Sequence, residues 1–188
     1  IPRVYLDYTT SRVLTTERVT GIRVDDREAL IAAGHSIPDL LCNAAASFFN
    51  QVFRDGFFHA DLHPGNVFVD AKGALTVVDF GIMGRLDQAT RYYLADMLIG
   101  FLSGDYRRVA EVHFEAGYVP RRRSIEAFTQ ACRSVGEPIL DLPLHEISIA
   151  KLLAQLFQVT EQFEMETQPQ LLLLQKTMVL VEGIGRRL

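Results

Sequence analysis

The stretch His59-Ala60-Asp61-Leu62-His63-Pro64-Gly65-Asn66, with Asp79-Phe80-Gly81 further along, decides the fold. Between the two motifs lie Val67-Phe68-Val69, a short β-prone run, and Asp70-Ala71-Lys72-Gly73, a turn in which Gly73 can take a positive φ. Leu75-Thr76-Val77-Val78 is a second β-prone run. The spacing predicts strand, turn, strand, with Asn66 opening one strand and Asp79 closing its partner. Antiparallel strands lie about 4.8 Å apart, so the two polar side chains are expected to reach a common cation. Pro64 and Gly65 bend the chain between Asp61 and Asn66, which holds the carboxylate near that point.

Two carboxylates and a carboxamide gathered this way suit phosphoryl transfer with a divalent metal. The transferred group needs an acceptor held in line and a cation to offset the charge on its oxygens. Asp61 is the candidate to orient the acceptor or take its proton. Asn66 and Asp79 offer the hard oxygen ligands that Mg²⁺ prefers. The competing reading makes Asp61 and Asp79 turn formers and Asn66 a strand cap, and it leaves the convergence of all three unexplained. His59 is expected to hold the loop by a backbone hydrogen bond rather than to act as acid or base. His63 stays open between loop support and a polar contact to phosphate.

This pattern is similar to the catalytic loop and metal motif of the protein-kinase-like fold. The fuller string Phe57-Phe58-His59-Ala60-Asp61-Leu62-His63-Pro64-Gly65-Asn66-Val67 resembles one branch of it, the UbiB/ADCK/aarF family of atypical kinases. Val4-Tyr5-Leu6-Asp7-Tyr8 and the run Val13 to Gly21 resemble that family's strands leading to the hinge between lobes. Pro169 to Met178 with Val181-Glu182-Gly183 resembles its late helix, so the likeness spans nearly the whole chain. The resemblance implies an α+β, mostly α fold: a protein-kinase-like C-lobe with a catalytic β-hairpin over 25–188, and remnant N-lobe strands and hinge over 1–24. It implies Asp61 as catalytic-loop aspartate, Asn66 as catalytic-loop residue and second metal ligand, and Asp79 as principal metal ligand. Glu17, Val19 and Gly21 would face the adenine of ATP, and His63 would face its phosphates. The implied cofactors are ATP and Mg²⁺. The implied setting is ubiquinone biosynthesis, among quinone-pathway enzymes and prenylated lipid intermediates. The implied location is the bacterial cytoplasm at the inner membrane, or the matrix side of the mitochondrial inner membrane.

The sequence also departs from the family's pattern. Leu62 stands where Pro is more usual, and no Ala-Pro-Glu follows Asp79-Phe80-Gly81. No Gly- or Ala-rich phosphate loop, Val-Ala-x-Lys strand or Lys-x-Gly-Gln signature occurs in the chain. The expectation is an internal fragment that alone binds ATP poorly. Two other functions stay open. A small-molecule phosphotransferase of aminoglycoside or choline kinase type also uses His-x-Asp-Leu-His-x-x-Asn, which Leu62 suits. A non-catalytic nucleotide-sensing scaffold for lipid-modifying enzymes is the other.

Composition bounds the rest. The 188 residues are one domain by length, and 48% hydrophobic content allows a sizeable core. A net charge of −4 gives no basic footprint for nucleic acid. Cys42 and Cys132 read as reduced core residues. The opening Ile1-Pro2-Arg3 does not read as a signal peptide, and no apolar run reaches the ~20 residues of a membrane span. Membrane association is implied by the resemblance alone.

Turn and capping signals outline the remaining elements. Residues 3–8 and 12–19 read as strands, 25–34 as a helix stopped by Gly34, and 38–55 as a buried helix ended by Gly56. Helices follow over 88–102 (capped by Asp87), 105–116, 125–135 (capped by Ser124), 149–164 (capped by Ser148) and 169–186. Arg121-Arg122-Arg123 is a charge run read as a solvated turn, with an anionic contact as the alternative.

Overall fold

A computed structural model describes residues 1–140, 142, 149–166, 169 and 172–179. The architecture is mostly helical α+β with two small antiparallel sheets. The backbone divides into two compact units, Ile1–Arg85 with Gln170–Leu188, and Leu86–Pro169.

In the first unit, β3 (Val67–Val69) and β4 (Leu75–Val77) pair antiparallel as Val67↔Val77, Phe68↔Thr76 and Val69↔Leu75. Asp70 makes the turn between them, its Oδ1 accepting from Lys72 N and Ala74 N. A third strand, β1 (Ile22–Arg23), adds to the far edge of β3, so the expected two-stranded ribbon is three-stranded. β2 (Phe57–His59) and β5 (Met83–Arg85) form the second sheet, in the register Phe57↔Arg85, Phe58↔Gly84 and His59↔Met83. Gly84 is needed there. A Cβ on it would lie 2.2 Å from Phe58 Cζ, so the fully buried Phe58 ring fills the space a side chain would take.

The N-terminal stretch corrects the sequence reading. Residues 3–8 and 12–19 do not form two strands; one isolated bridge, Val4↔Thr16, joins them, and Leu6–Tyr8 is a 3₁₀ turn. The reason lies in the threonines. Thr9 Oγ1 donates to Tyr5 O and accepts from Thr15 N, Thr15 Oγ1 donates to Tyr8 O, and Thr10 Oγ1 accepts from Val13 N. Side-chain oxygens thereby take bonds that a ladder would need.

α1 (Arg27–Ala32) is capped by Asp26 and stops at Gly34, φ 84°. α2 (Ile37–Phe49) is capped by Ser36 with Pro38 in its first turn. It widens into a π-turn over Asn50–Asp55 before Gly56 ends it in the left-handed region. Cys42 is exposed on α2, correcting its placement in the core. A helix over residues 172–179, here α7, belongs to this unit and buries Leu174 and Thr177, one turn apart.

The second unit is helical. α3 (Gln88–Ser103) is capped by Asp87, whose Oδ1 accepts from Thr90 N, and ends at Gly104, φ 71°. α4 (Tyr106–Glu115), α5 (Ile125–Gly136, capped by Ser124) and α6 (Ile149–Gln162) follow. Tyr106, Val109, Ala110, Val119, Phe128, Cys132 and Phe163 make its core. Burial pushes the Cys132 thiol up to about 12, which makes it inert packing. Arg122 and Arg123 both pair with Glu164, so the arginine run is tied down within this unit. The expected Ser148 cap, Glu182 and Gly183 lie outside the described residues.

Candidate functional site

The site is assembled by one buried imidazole. His59 leaves β2 with its ring 1% exposed. Its Nδ1 accepts from Asp61 N at 3.1 Å, so the ring proton sits on Nε2, which donates to Val78 O at 3.1 Å. The ring thereby joins Val78, the residue before the Asp79 motif and nineteen positions from His59, to the backbone of Asp61. Gln51 Oε1, presented by the π-turn, accepts from His59 N and fixes the strand that carries the ring. Phe80 meets the ring edge-on, at 5.3 Å between centroids. The expectation that His59 holds the loop through the backbone describes this arrangement.

The loop itself is rigid by local bonding. His63 Nδ1 accepts from Gly65 N, and a 3₁₀ turn runs over Pro64–Asn66. Asn66 is 6% exposed, and its Nδ2 donates to Asp61 O at 3.1 Å. Asn66 O accepts from Val78 N at 2.9 Å, so β3 and β4 stay paired up to the residue before Asp79. Asp79 takes φ 61°, unusual for a residue with a Cβ and tolerated best by Asp and Asn. Its side chain is exposed and its Oδ1 accepts from Gly81 N at 3.4 Å.

Asp61 has a partner that the sequence does not announce. Its Oδ1 accepts from Lys176 Nζ of α7 at 2.9 Å. That bond is the first cause holding the Asp61 carboxyl below the usual carboxylate range; partial burial opposes it, and the positive charge of Lys176 adds to it. Asp61 therefore stays ionised at neutral pH.

The residues expected to face the adenine lie apart from regular structure, since residues 17–20 form neither helix nor strand. Glu17 Oε2 accepts from Arg3 N, and Glu17 N donates to Arg3 O, so this carboxylate closes the N-terminal loop. Val19 is half-buried. Gly21 has a packing role, because a Cβ there would sit 2.5 Å from Val69 O, where the chain passes against β3. Among the described residues no group of three or more His, Cys, Asp or Glu side chains gathers as a metal cluster. None of their helices is long and apolar enough to cross a membrane.

Residues 1–113 match the model of the ABC1 atypical kinase-like domain. The chain belongs to that family. Residues 132–188 match the UbiB helical domain. A relative from Photobacterium profundum, called "Probable protein kinase UbiB", is 47% identical over the whole chain. Another of the same name, from Yersinia pestis, is 49% identical over the same extent. The chain spans 35% of the length of each. Two solved structures of WbdD, one titled as a bifunctional kinase-methyltransferase, overlap 84% and 85% of the chain at 20% and 16% identity. They cover 32% and 36% of their own chains, with TM-scores of 0.34 and 0.37, and likeness that loose carries no weight here.

Proposed function

We propose that the first unit is the phosphoryl-transfer face of an ATP-dependent phosphotransferase or ATPase that supports ubiquinone biosynthesis at a bacterial inner membrane. One observation carries the reading. The His59 ring ties Asp61 to Val78, so Asp61, Asn66 and Asp79 issue from a single hydrogen-bonded frame. A turn-former reading gives no reason for a buried histidine to join those two segments.

Asp61 is the residue assigned to the acceptor. Its ionised carboxylate accepts the acceptor's O–H as the acceptor oxygen bonds to the γ-phosphorus. The bond to the β–γ bridging oxygen breaks, ADP leaves with that electron pair, and the acceptor's proton ends on Asp61. Asn66 Oδ1 and the Asp79 carboxylate fit Mg²⁺, as uncharged and charged oxygen donors that leave other positions to phosphate and water. When bound, the ion would offset charge on the phosphate oxygens. His63, with Nδ1 committed to Gly65 N, offers Nε2 to a phosphate oxygen. We read residues 1–24 as the end of a small lobe and hinge, with Glu17, Val19 and Gly21 beside the adenine, and 25–188 as a C-lobe. Quinone-pathway enzymes and prenylated lipids are the partners this reading names.

The test is nucleotide binding by the chain extended to the length of its relatives. Asp79→Asn should weaken Mg·ATP binding by about ten- to a hundredfold, the loss expected for one charge-assisted contact. Wild-type affinity in that variant would remove Asp79 from the metal site.

A further inference from the structure

The main chain of Asp61 is held at several points, and its carboxylate at one. Asp61 N donates to His59 Nδ1, and Asp61 O accepts from His63 N and Asn66 Nδ2. These bonds fix the loop but leave the side chain free to turn about its own torsions. Among the described residues a single group restrains it, Lys176 Nζ, 2.9 Å from Oδ1. Oδ2 has no partner among the described residues.

Lys176 comes from α7, and α7 is docked. Leu174 and the fully buried Thr177 lie on either side of Lys176 in sequence, and Thr177 Oγ1 donates to Leu173 O. The lysine therefore leaves a seated helix at a set height. The ion pair does little for the fold: its side chains are 51% and 27% exposed, and pairs of that kind add little to stability. What it fixes is direction. A group that meets an acceptor's O–H works only when held within about 0.5 Å of its productive place. Lysine suits that task. An ammonium is a point donor that occupies one carboxylate oxygen, whereas a guanidinium takes both in a fork.

We propose that Lys176 is a positioning residue of the transfer site: from α7 it fixes the Asp61 carboxylate through Oδ1 and keeps Oδ2 open to the acceptor hydroxyl. This rests on the phosphoryl-transfer reading above and adds to it a support delivered from a helix far along the chain. Lys176 acts through Asp61 and is assigned no contact with the nucleotide. The kinase-like region, which carries the Asp61 loop, and the helical region, which carries α7, then complete one site together.

The experiment uses the chain extended to its relatives' length. Turnover is read as ADP released over a range of Mg·ATP concentrations, for wild type, Lys176→Met and Lys176→Cys. Lys176→Met should lower kcat by about ten- to a hundredfold, the scale of a misplaced reacting group. The KM for Mg·ATP and the urea midpoint should not change. Alkylating Lys176→Cys with bromoethylamine rebuilds an ammonium at the same reach, and kcat should rise again; wild type treated in parallel corrects for the exposed Cys42. A kcat in Lys176→Met equal to wild type overturns the proposal and leaves the phosphoryl-transfer reading standing. So does a KM that rises while kcat holds, which would put the lysine on the nucleotide, and so does a kcat that stays low after alkylation is confirmed by mass. Failure of wild type to turn over Mg·ATP sinks the phosphoryl-transfer reading, and this one with it. A second measurement needs no turnover. Asp61→Asn should speed acetylation of Lys176 by acetic anhydride severalfold, read by mass spectrometry against the exposed Lys72. Equal rates in wild type and Asp61→Asn, each scaled to Lys72, overturn the proposal.

Discussion

The two units hold their histidines for opposite ends. His59 in the first uses both ring nitrogens on distant backbone atoms and couples segments that carry the polar side chains. His113 in the second gives Nδ1 to Val109 O, one turn back on its own helix, and lodges its ring against Phe128 and Tyr118. One is a strut across a site; the other is a ring in a packed core. The wider contrast follows. The first unit is organised by side-chain-to-backbone hydrogen bonds around short strands, at Gln51, His59, His63, Asn66 and Asp70. The second is organised by apolar contact between helices around Phe128. Damage to the second should therefore read out in stability, and damage to the first in turnover.

The hardest blow to that contrast is Phe128→Ala. Phe128 is 1% exposed and its ring lies 4.9 Å from Phe163, 5.1 Å from His113 and 6.0 Å from Phe114. Removing it should cost about 3–5 kcal/mol, measured by urea denaturation. Whatever remains folded should keep wild-type affinity for Mg·ATP. A nucleotide affinity that drops in proportion to the stability would break the comparison, because the second unit would then be part of the site.

His59→Ala is the matched blow to the first unit. It strips partners from Asp61 N–H and Val78 C=O, each loss carrying about 1–3 kcal/mol where the group is buried. More tellingly, it frees the Asp61 loop. A displacement near 1 Å costs on the order of a hundredfold in rate, so turnover should fall far more than Mg·ATP affinity. Equal falls in both would make His59 a general packing residue and erase its difference from His113.

How much of this was legible in the sequence follows from how local each signal is. The β3–β4 hairpin was readable, because β-branched residues flank the Asp70–Gly73 turn within a dozen positions. The helix starts at Asp87 and Ser124 were readable for the same reason, since a cap acts on residues three positions on. The second sheet was not. Phe57–His59 and Met83–Arg85 are three residues each and one contains a glycine, so neither shows an alternating pattern, and their pairing is non-local. The strands foreseen over 3–8 and 12–19 failed because Thr9, Thr10 and Thr15 compete for backbone groups. Asp61, Asn66 and Asp79 are singled out by spacing alone, and the bonds of His59 and Asn66 run between the segments that carry them. Lys176 sits 115 positions from Asp61 on an amphipathic helix, where a lysine reads as solvated surface. Only the tertiary structure joins them.

The smallest effect sharpens the contrast through pH. Burial holds the His113 imidazole below the ordinary histidine value, partly opposed by its bond to Val109 O. The folded state therefore prefers the neutral ring, and the unfolded chain binds the extra proton first. Stability should be fully present above pH ~6.5, the unperturbed value. It should decline as pH falls below that point, until the depressed folded-state value is passed. His113→Phe, which keeps a ring among the same neighbours and removes the titration, should flatten this part of the profile of melting temperature against pH. The Val109 carbonyl then loses its side-chain donor but keeps its place in the helix, so the overall level should shift by no more than about 1–2 kcal/mol. If His113→Phe left the slope intact, the titrating ring would not be His113, and its assignment as the neutral ring of the packed core would fall.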